Sequence, residues 1–295
     1  MIGYSISQAN LEKRIEDESP GWLNKAKERT EKLRKEGCYK EKSSIWSKAK
    51  PVYMKLQGNC KCAYCERKLE SVDYGKIEQD VEHFRPKGKV KNWRVPKLLS
   101  DQGINPTKVP NDDSGYYLLP YHLFNYTAAC KPCNSVLKKD YFPIAGNYDL
   151  KGEDPKILLK EKPYLIYPIG DFDDAPENLI CFHGASPQAV VSSGYKRERA
   201  LVTIEFFKLD NGTKRKNLFI ERARIIVTLH PFLEKLANGA VGTEKADSQK
   251  IVNGFTSPKA PHTNCACSFK HLFETDRAEA KAVFDKAVLL IASAS

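Results

Sequence analysis

Cys62-Ala63-Tyr64-Cys65 and Cys130-Lys131-Pro132-Cys133 frame this chain, and Asp80-Val81-Glu82-His83-Phe84-Arg85-Pro86-Lys87 lies between them. Each Cys-x-x-Cys turns two thiolates toward one ion, and two such pairs complete a tetrahedral zinc site. Their separation exceeds that of a compact zinc ribbon, so a folded insert must lie between the pairs. A redox role fits less well, because neither pair sits in a βαβ pattern. Cys60 is an alternative to Cys62 as a ligand, but the loop from Cys60 to Cys62 is too tight for the usual knuckle.

The insert carries the chemistry. A carboxylate beside an imidazole, Glu82-His83, supplies what a one-metal phosphodiesterase needs: an acid for a hard divalent cation and a neutral base for the attacking water. Neighbours on a strand point to opposite faces, so the pair requires a strand end or a break in the pleat, and Pro86 makes one plausible. Asn134 follows the second cysteine pair directly, opening a short helix and presenting a carbonyl oxygen to the same cation. Lys138, one turn later, would face phosphate. Asn125, upstream of Cys130, is placed to brace the backbone of the catalytic strand. Arg85, Lys87, Lys89, Lys91, Arg94 and Lys97 form a basic run with no acid among them. With Trp93 inside it, the run reads as a track for a phosphate backbone with a stacking surface, in preference to a solvated loop.

Taken together, the series Cys-x-x-Cys, Glu-His, Asn, Cys-x-x-Cys-Asn resembles the zinc-bearing branch of HNH, or ββα-metal, endonucleases. Cys62 to Glu66, Glu82 to Lys87, Gly115-Tyr116-Tyr117 and Cys133-Asn134 with Phe142-Pro143 look like the HNH subunit of Septu-type and retron-associated anti-phage systems. The likeness runs over roughly residues 45–225 and includes Asp149, Glu153-Asp154-Pro155 and the stretch from Leu209 to Arg222. It implies an α+β, mostly helical fold with a zinc-bearing ββα-metal core inserted among helices. It implies His83 as general base, Asn125 as the residue orienting it, Glu82 and Asn134 as ligands of a catalytic Mg²⁺ or Mn²⁺, and Cys62, Cys65, Cys130 and Cys133 as ligands of a structural Zn²⁺. Relatives of this kind work with an ABC- or SMC-like ATPase encoded alongside, so such a partner is expected. The chain departs from the pattern at Leu118 and Leu123, where tryptophans are frequent, and at His122, where an acid is frequent.

Outward from the core, residues 1–58 read as helical. Ser19-Pro20 supplies an N-cap and first-turn proline, Trp22, Ala26, Thr30 and Leu33 a buried stripe, and Gly37 a stop. Ile45, Trp46, Tyr53 and Leu56 suggest a second helix, restarted at Pro51 and ended by Gly58. Residues 59–145 form the nuclease core, with an irregular excursion from Asn105 to Gly115. Residues 146–295 form a mainly helical region and a candidate docking surface for the ATPase. Helical periodicity marks residues 196–209 and 214–238. A polar, glycine-bearing segment runs from Asn238 to Asn264. A last helix starts at Asp276, whose Asp-x-x-Glu pair with Glu279 resembles a capping box. His183, His230, His262 and His271 lack spaced partners and read as surface or core residues. Cys265-x-Cys267 reads as free thiols in preference to a second metal site.

Bulk properties agree. A formal charge of +11 over 295 residues favours a polyanionic partner such as DNA or RNA. Nine cysteines cannot pair completely, and clustered cysteines in a reducing compartment are metal ligands more often than disulfides. No apolar run approaches the roughly eighteen residues of a membrane span, and residues 1–14 lack the apolar centre of a signal peptide, so a cytoplasmic protein is expected. The competing function is a zinc-stabilised nucleic-acid-binding module without catalysis, which would not need Glu82, His83 and Asn134 together. A zinc deaminase is set aside, because His-x-Glu and Pro-Cys-x-x-Cys are both absent.

Overall fold

The structure, a computed structural model, describes residues 1–74 and 78–294. Near the N-terminus, α1 (Gln8–Glu18) packs against α2 (Trp22–Glu36). As the periodicity predicts, Trp22, Ala26 and Leu33 of α2 are buried. Gly37 closes the helix at φ +66°, its N–H bonded to the Leu33 carbonyl at 2.8 Å. The start of α2 differs from the reading of Ser19-Pro20 as its cap. The Ser19 N–H bonds back to Ile15 at 2.8 Å and finishes α1 instead. The Glu16 carboxylate then accepts the Gly21 and Leu23 N–H groups, each at 2.7 Å, so a side chain of α1 caps α2. A 3₁₀ turn (Trp46–Ala49) runs into α3 (Lys50–Leu56), with Pro51 in its first turn, where its missing N–H costs nothing.

Two strands position the site. β1 (Gln79–His83) pairs antiparallel with β2 (Tyr126–Cys130), with Gln79 opposite Cys130 and His83 opposite Tyr126. The connection between them carries the short α4 (Lys97–Ser100) and returns at Gly115, whose φ is +60°. A Cβ there would lie 1.8 Å from the Gly88 carbonyl oxygen, so the two chains can cross only at glycine. Every residue of β2 is buried. On its other edge the side chain of Gln57 imitates a strand partner: its amide donates to the Ala128 carbonyl and accepts from the Ala128 N–H, both at 2.7 Å. A π-helical turn (Pro132–Lys138) follows β2, closed by the Lys139 N–H on the Asn134 carbonyl at 2.8 Å.

A second two-stranded antiparallel sheet, β3 (Ile180–His183) and β4 (Ser186–Ala189), leads into the helices α5 (Gly194–Phe206), α6 (Lys216–Ala237), α7 (Gly242–Thr256), α8 (Thr263–Thr275) and α9 (Arg277–Ala292). α6 packs against α7, α8 and α9, and α8 covers β3. The polar segment from Asn238 to Asn264 is largely helical as α7. Its apolar signal is weak because α7 buries only Ser248 and Val252. Asp276 caps α9, its carboxylate accepting the Glu279 N–H at 3.0 Å, but the reciprocal half of the box is not formed, because the Asp276 N–H bonds the Leu272 carbonyl and Glu279 pairs with His183. The described residues are thus mostly helical with two small antiparallel sheets, and one hydrophobic cluster draws residues from all three stretches, from Trp22 through Tyr126 to Leu229. No described helix is long and apolar enough to cross a membrane.

Candidate metal centre and catalytic strand

The four cysteines of the two pairs meet. Cys62 and Cys65 sit in a tight loop whose Ala63 N–H docks on the Ala128 carbonyl at 3.0 Å and whose Glu66 N–H returns to the Cys62 carbonyl at 3.0 Å. Glu66 makes that return at φ +58°. Cys130 ends β2, and Cys133 lies in the turn that follows. Their four buried Sγ atoms lie within 4.8 Å of one another, and Cys65 and Cys130 are 3.8 Å apart. A tetrahedron with metal–sulfur bonds of roughly 2.3 Å has edges of about 3.8 Å, so the spacing fits zinc. Cys60 is buried but stays outside the group. Without a cation the four thiols cannot ionise together. Hydrogen bonds from Cys130, Cys133 and Cys62 hold Cys65 well below the usual thiol range. Cys133, hydrogen-bonded to Cys130 and buried, is pushed well above it.

Two residues that spacing alone does not find complete this centre. The Arg215 guanidinium reaches the Cys133 sulfur at 3.7 and 3.8 Å and donates to the Phe207 carbonyl at 3.1 Å. Four thiolates around a dication would carry a double negative charge, which Arg215 would partly offset. The Tyr64 ring, inside the first pair, stacks on Phe207 at 4.0 Å. Both partners lie far downstream in sequence, Arg215 within the Leu209 to Arg222 stretch of the likeness and Phe207 just before it.

Alternation along β1 separates its side chains into two faces. Asp80 and Glu82 face the π-helical turn. Asp80 pairs with Lys131 at 2.8 Å and accepts the Asn134 amide at 3.1 Å. Glu82 is 2 % exposed and accepts the Tyr64 hydroxyl at 2.5 Å, while Lys138 pairs with its other oxygen at 3.2 Å. Carboxylate and amide oxygens suit a hard divalent cation, and here protein cations balance the two carboxylates.

His83, the last residue of β1, points the other way. Its ring meets the edges of Trp46 and Tyr126 at centroid distances of 4.8 and 5.2 Å, and its Nε2 is 3.2 Å from the Pro120 carbonyl. Burial first, and the nearby Lys87 ammonium second, hold the imidazole well below its ordinary pKa, so it is neutral at pH 7. Asn125 is fully buried and ties the chain just past His83. Its Oδ1 accepts the Arg85 N–H at 2.8 Å, its Nδ2 donates to the Arg85 and Leu119 carbonyls at 3.1 and 3.2 Å, and its own carbonyl accepts the Phe84 N–H at 2.9 Å.

Two residues read as phosphate contacts do not face solvent. Lys138 is fully buried against Glu82 and the Phe142 ring. Arg85 is 1 % exposed, paired with Glu161 at 3.0 Å and bonded to the Leu158 carbonyl at 2.9 Å. A buried guanidinium needs such partners. Of the remaining run, Lys89 and Lys91 pair with Asp113 and Asp140, and Arg94 is exposed. Lys87 lies 4.9 Å from the Trp46 ring centre and 5.6 Å from that of Tyr39. Trp93 packs on Phe206 at 5.2 Å. Elsewhere His262 pairs with Glu221 at 2.9 Å and His183 with Glu279 at 3.0 Å. Cys265 and Cys267 join no metal-ligand group among the described residues.

Comparison with known proteins gives a partial match. The chain is 32% identical over 126 residues to the Septu protein PtuB of Bacillus mycoides (strain KBAB4). The match covers 43% of this chain and 36% of that relative. No protein-family model and no solved structure matches the chain. The similarity agrees with the likeness to Septu-type systems, and it relates this chain to PtuB over less than half the length of either.

Proposed function

We propose that this chain is a metal-dependent HNH endonuclease, the nuclease effector of an anti-phage complex with an ATPase. The observation that carries the reading is the strand end itself. A two-stranded ribbon and the short turn after it are anchored on the four-cysteine centre, and Asn125 fixes the backbone just past a neutral His83. In this reading residues 59–145 are the nuclease core and residues 146–295 include the surface for the ATPase. Cys62, Cys65, Cys130 and Cys133 hold structural Zn²⁺. Glu82 and Asn134 hold Mg²⁺ or Mn²⁺, with Asp80 beside Asn134 on the same face. That cation, when bound, supplies positive charge to the phosphate and the leaving oxygen. His83, on the opposite face of β1 from Glu82, takes the proton of the attacking water where the strand ends, and Asn125 keeps the backbone there in register. Lys87, Lys89, Lys91 and Arg94 contact the substrate backbone.

The test is cleavage of plasmid DNA and of total RNA with Mg²⁺, Mn²⁺ or EDTA, comparing wild type with His83→Ala. The variant should lose on the order of 10²–10⁴ in rate, with zinc content unchanged and the melting temperature lowered by loss of the ring packed against Trp46 and Tyr126. An undiminished rate in a metal-replete assay removes His83 as the base. The buried Glu82–Lys138 pair favours a second reading, a zinc-stabilised binding module without catalysis. Absence of metal-dependent cleavage by wild type on either substrate would select it.

A further inference from the structure

On the far side of the zinc centre from His83 lies an open cleft of about 460 Å³. Its walls bring together cations from three separate segments: Arg67 beside the first cysteine pair, Lys131 inside the second, and Lys214, Arg215 and Lys216 just before and at the start of α6. Glu78 is the single acid on the lining. Arg67 and Lys131 already have partners, at 3.0 Å to Glu221 and 2.8 Å to Asp80, and Arg215 is held by Cys133 and Phe207. Lys214 and Lys216 are exposed and have no carboxylate within ion-pair distance among the described residues. Residues so distant in sequence make this a convergent surface and not a solvated face of one helix.

We infer that this cleft binds the phosphodiester backbone of the nucleic acid, with Lys214 and Lys216 as the contacting ammonium groups. The inference rests on the nuclease reading and adds to it a second anchoring point. Cys130, on the cleft wall, pairs with Gln79 at one end of β1, and His83 is at the other end. At a strand rise of about 3.3 Å per residue the two ends are about 13 Å apart. Each nucleic-acid strand presents a phosphate about every 3.4 Å of helix axis. A backbone that runs from the cleft along β1 would reach the strand end in about four nucleotides. Anchoring there would fix which phosphodiester meets His83 without any contact to bases.

The experiment measures binding in the full-length His83→Ala protein, using fluorescent short duplex DNA and single-stranded RNA over a range of KCl concentrations. Lys214→Glu/Lys216→Glu should weaken binding about tenfold and flatten the salt slope by about 2 for the duplex. Lys214→Arg/Lys216→Arg should bind as the parent does, and zinc content and melting temperature should be unchanged in both variants. Unaltered affinity and slope with both probes would overturn the inference. So would displacement of the probe by ATP, which would make the cleft a mononucleotide site, or by polyglutamate at equal charge, which would make it a surface for acidic protein. Binding is read without cleavage, so the two readings fail separately. A wild type that binds through the cleft and cuts nothing removes only the nuclease. A wild type that cuts, beside a double variant that binds normally, removes only the cleft.

Discussion

At the scale of single residues, sequence marks the candidate catalytic groups better than the groups that hold them. Glu82-His83 stands out as a carboxylate beside an imidazole between two cysteine pairs, and Asn125 sits where the backbone past His83 needs a brace. Arg85 misleads. It belongs to a basic run, yet Glu161, which no motif singles out, draws it inward together with the Tyr116 hydroxyl, 2.8 Å from the same carboxylate. Burial pushes the Glu161 carboxyl up, and Arg85 opposes that shift, so each depends on the other. Arg85→Ala should therefore cost about 3–5 kcal/mol of stability in urea unfolding, since it leaves a buried carboxylate unpaired. The salt dependence of nucleic-acid binding should not change, whereas a phosphate contact would alter the slope and spare the stability. His122 gives a second residue-scale expectation. Burial lowers its pKa to about 4, below the ordinary value near 6.5. The unfolded chain then binds this proton first. The native state is favoured in full above about pH 6.5 and loses about 1.4 kcal/mol per unit as pH falls toward 4. His122→Asn keeps an acceptor for the Phe124 N–H, now bonded to Nδ1 at 3.2 Å. It should flatten the acid limb of a melting-temperature profile between pH 6.5 and 4. An identical limb in wild type and variant would contradict this.

At the scale of elements, the legible ones are those with a strong local signal. α2, α6 and α9 carry apolar stripes and recognisable stops or caps, and the structure forms them. α1, α7 and α8 are harder to read. α1 buries only Leu11 and Ile15, α7 has almost no apolar face, and α8 draws its buried face from Cys265, Ala266 and Phe269 with polar residues between. The ribbon is intermediate. β1 is short, and its pairing with β2 spans a long irregular excursion, so only the two cysteine pairs announce that its ends meet. That makes the four-cysteine group the element's staple. Cys130→Ser removes a ligand at the junction of β2 and the turn that carries Asn134 and Lys138. Because ligation free energy is folding free energy in such sites, the variant should lose zinc and soluble protein together. A soluble variant with a wild-type melt, measured beside its zinc content by elemental analysis, would show the ribbon standing without the metal.

At the scale of the whole molecule, the boundary near Asn147 read from composition does not separate independent packings. Residues on both sides share one hydrophobic cluster, and the contacts that cross it include Tyr64 on Phe207, Arg215 on Cys133, Trp93 on Phe206 and Arg85 on Glu161. From sequence, the helical region carries no nuclease motif, and its apolar faces read as part buried core and part docking surface. The structure uses much of those faces internally, with α6 buried against α7, α8 and α9 and Phe207 under the first cysteine pair. Truncation before Gly194 is therefore a poor probe of docking on an ATPase. It would strip the stacking ring from Tyr64 and the guanidinium from a doubly negative metal centre, and it would expose the cluster beneath α5 and α6. Residues 1–193 expressed alone should be insoluble or zinc-poor, as read by elemental analysis and size-exclusion chromatography. A soluble, zinc-loaded fragment with a cooperative melt would show instead that the core folds without the later helices. It would restore residues 194–294 as a separable region on which docking can be tested by deletion.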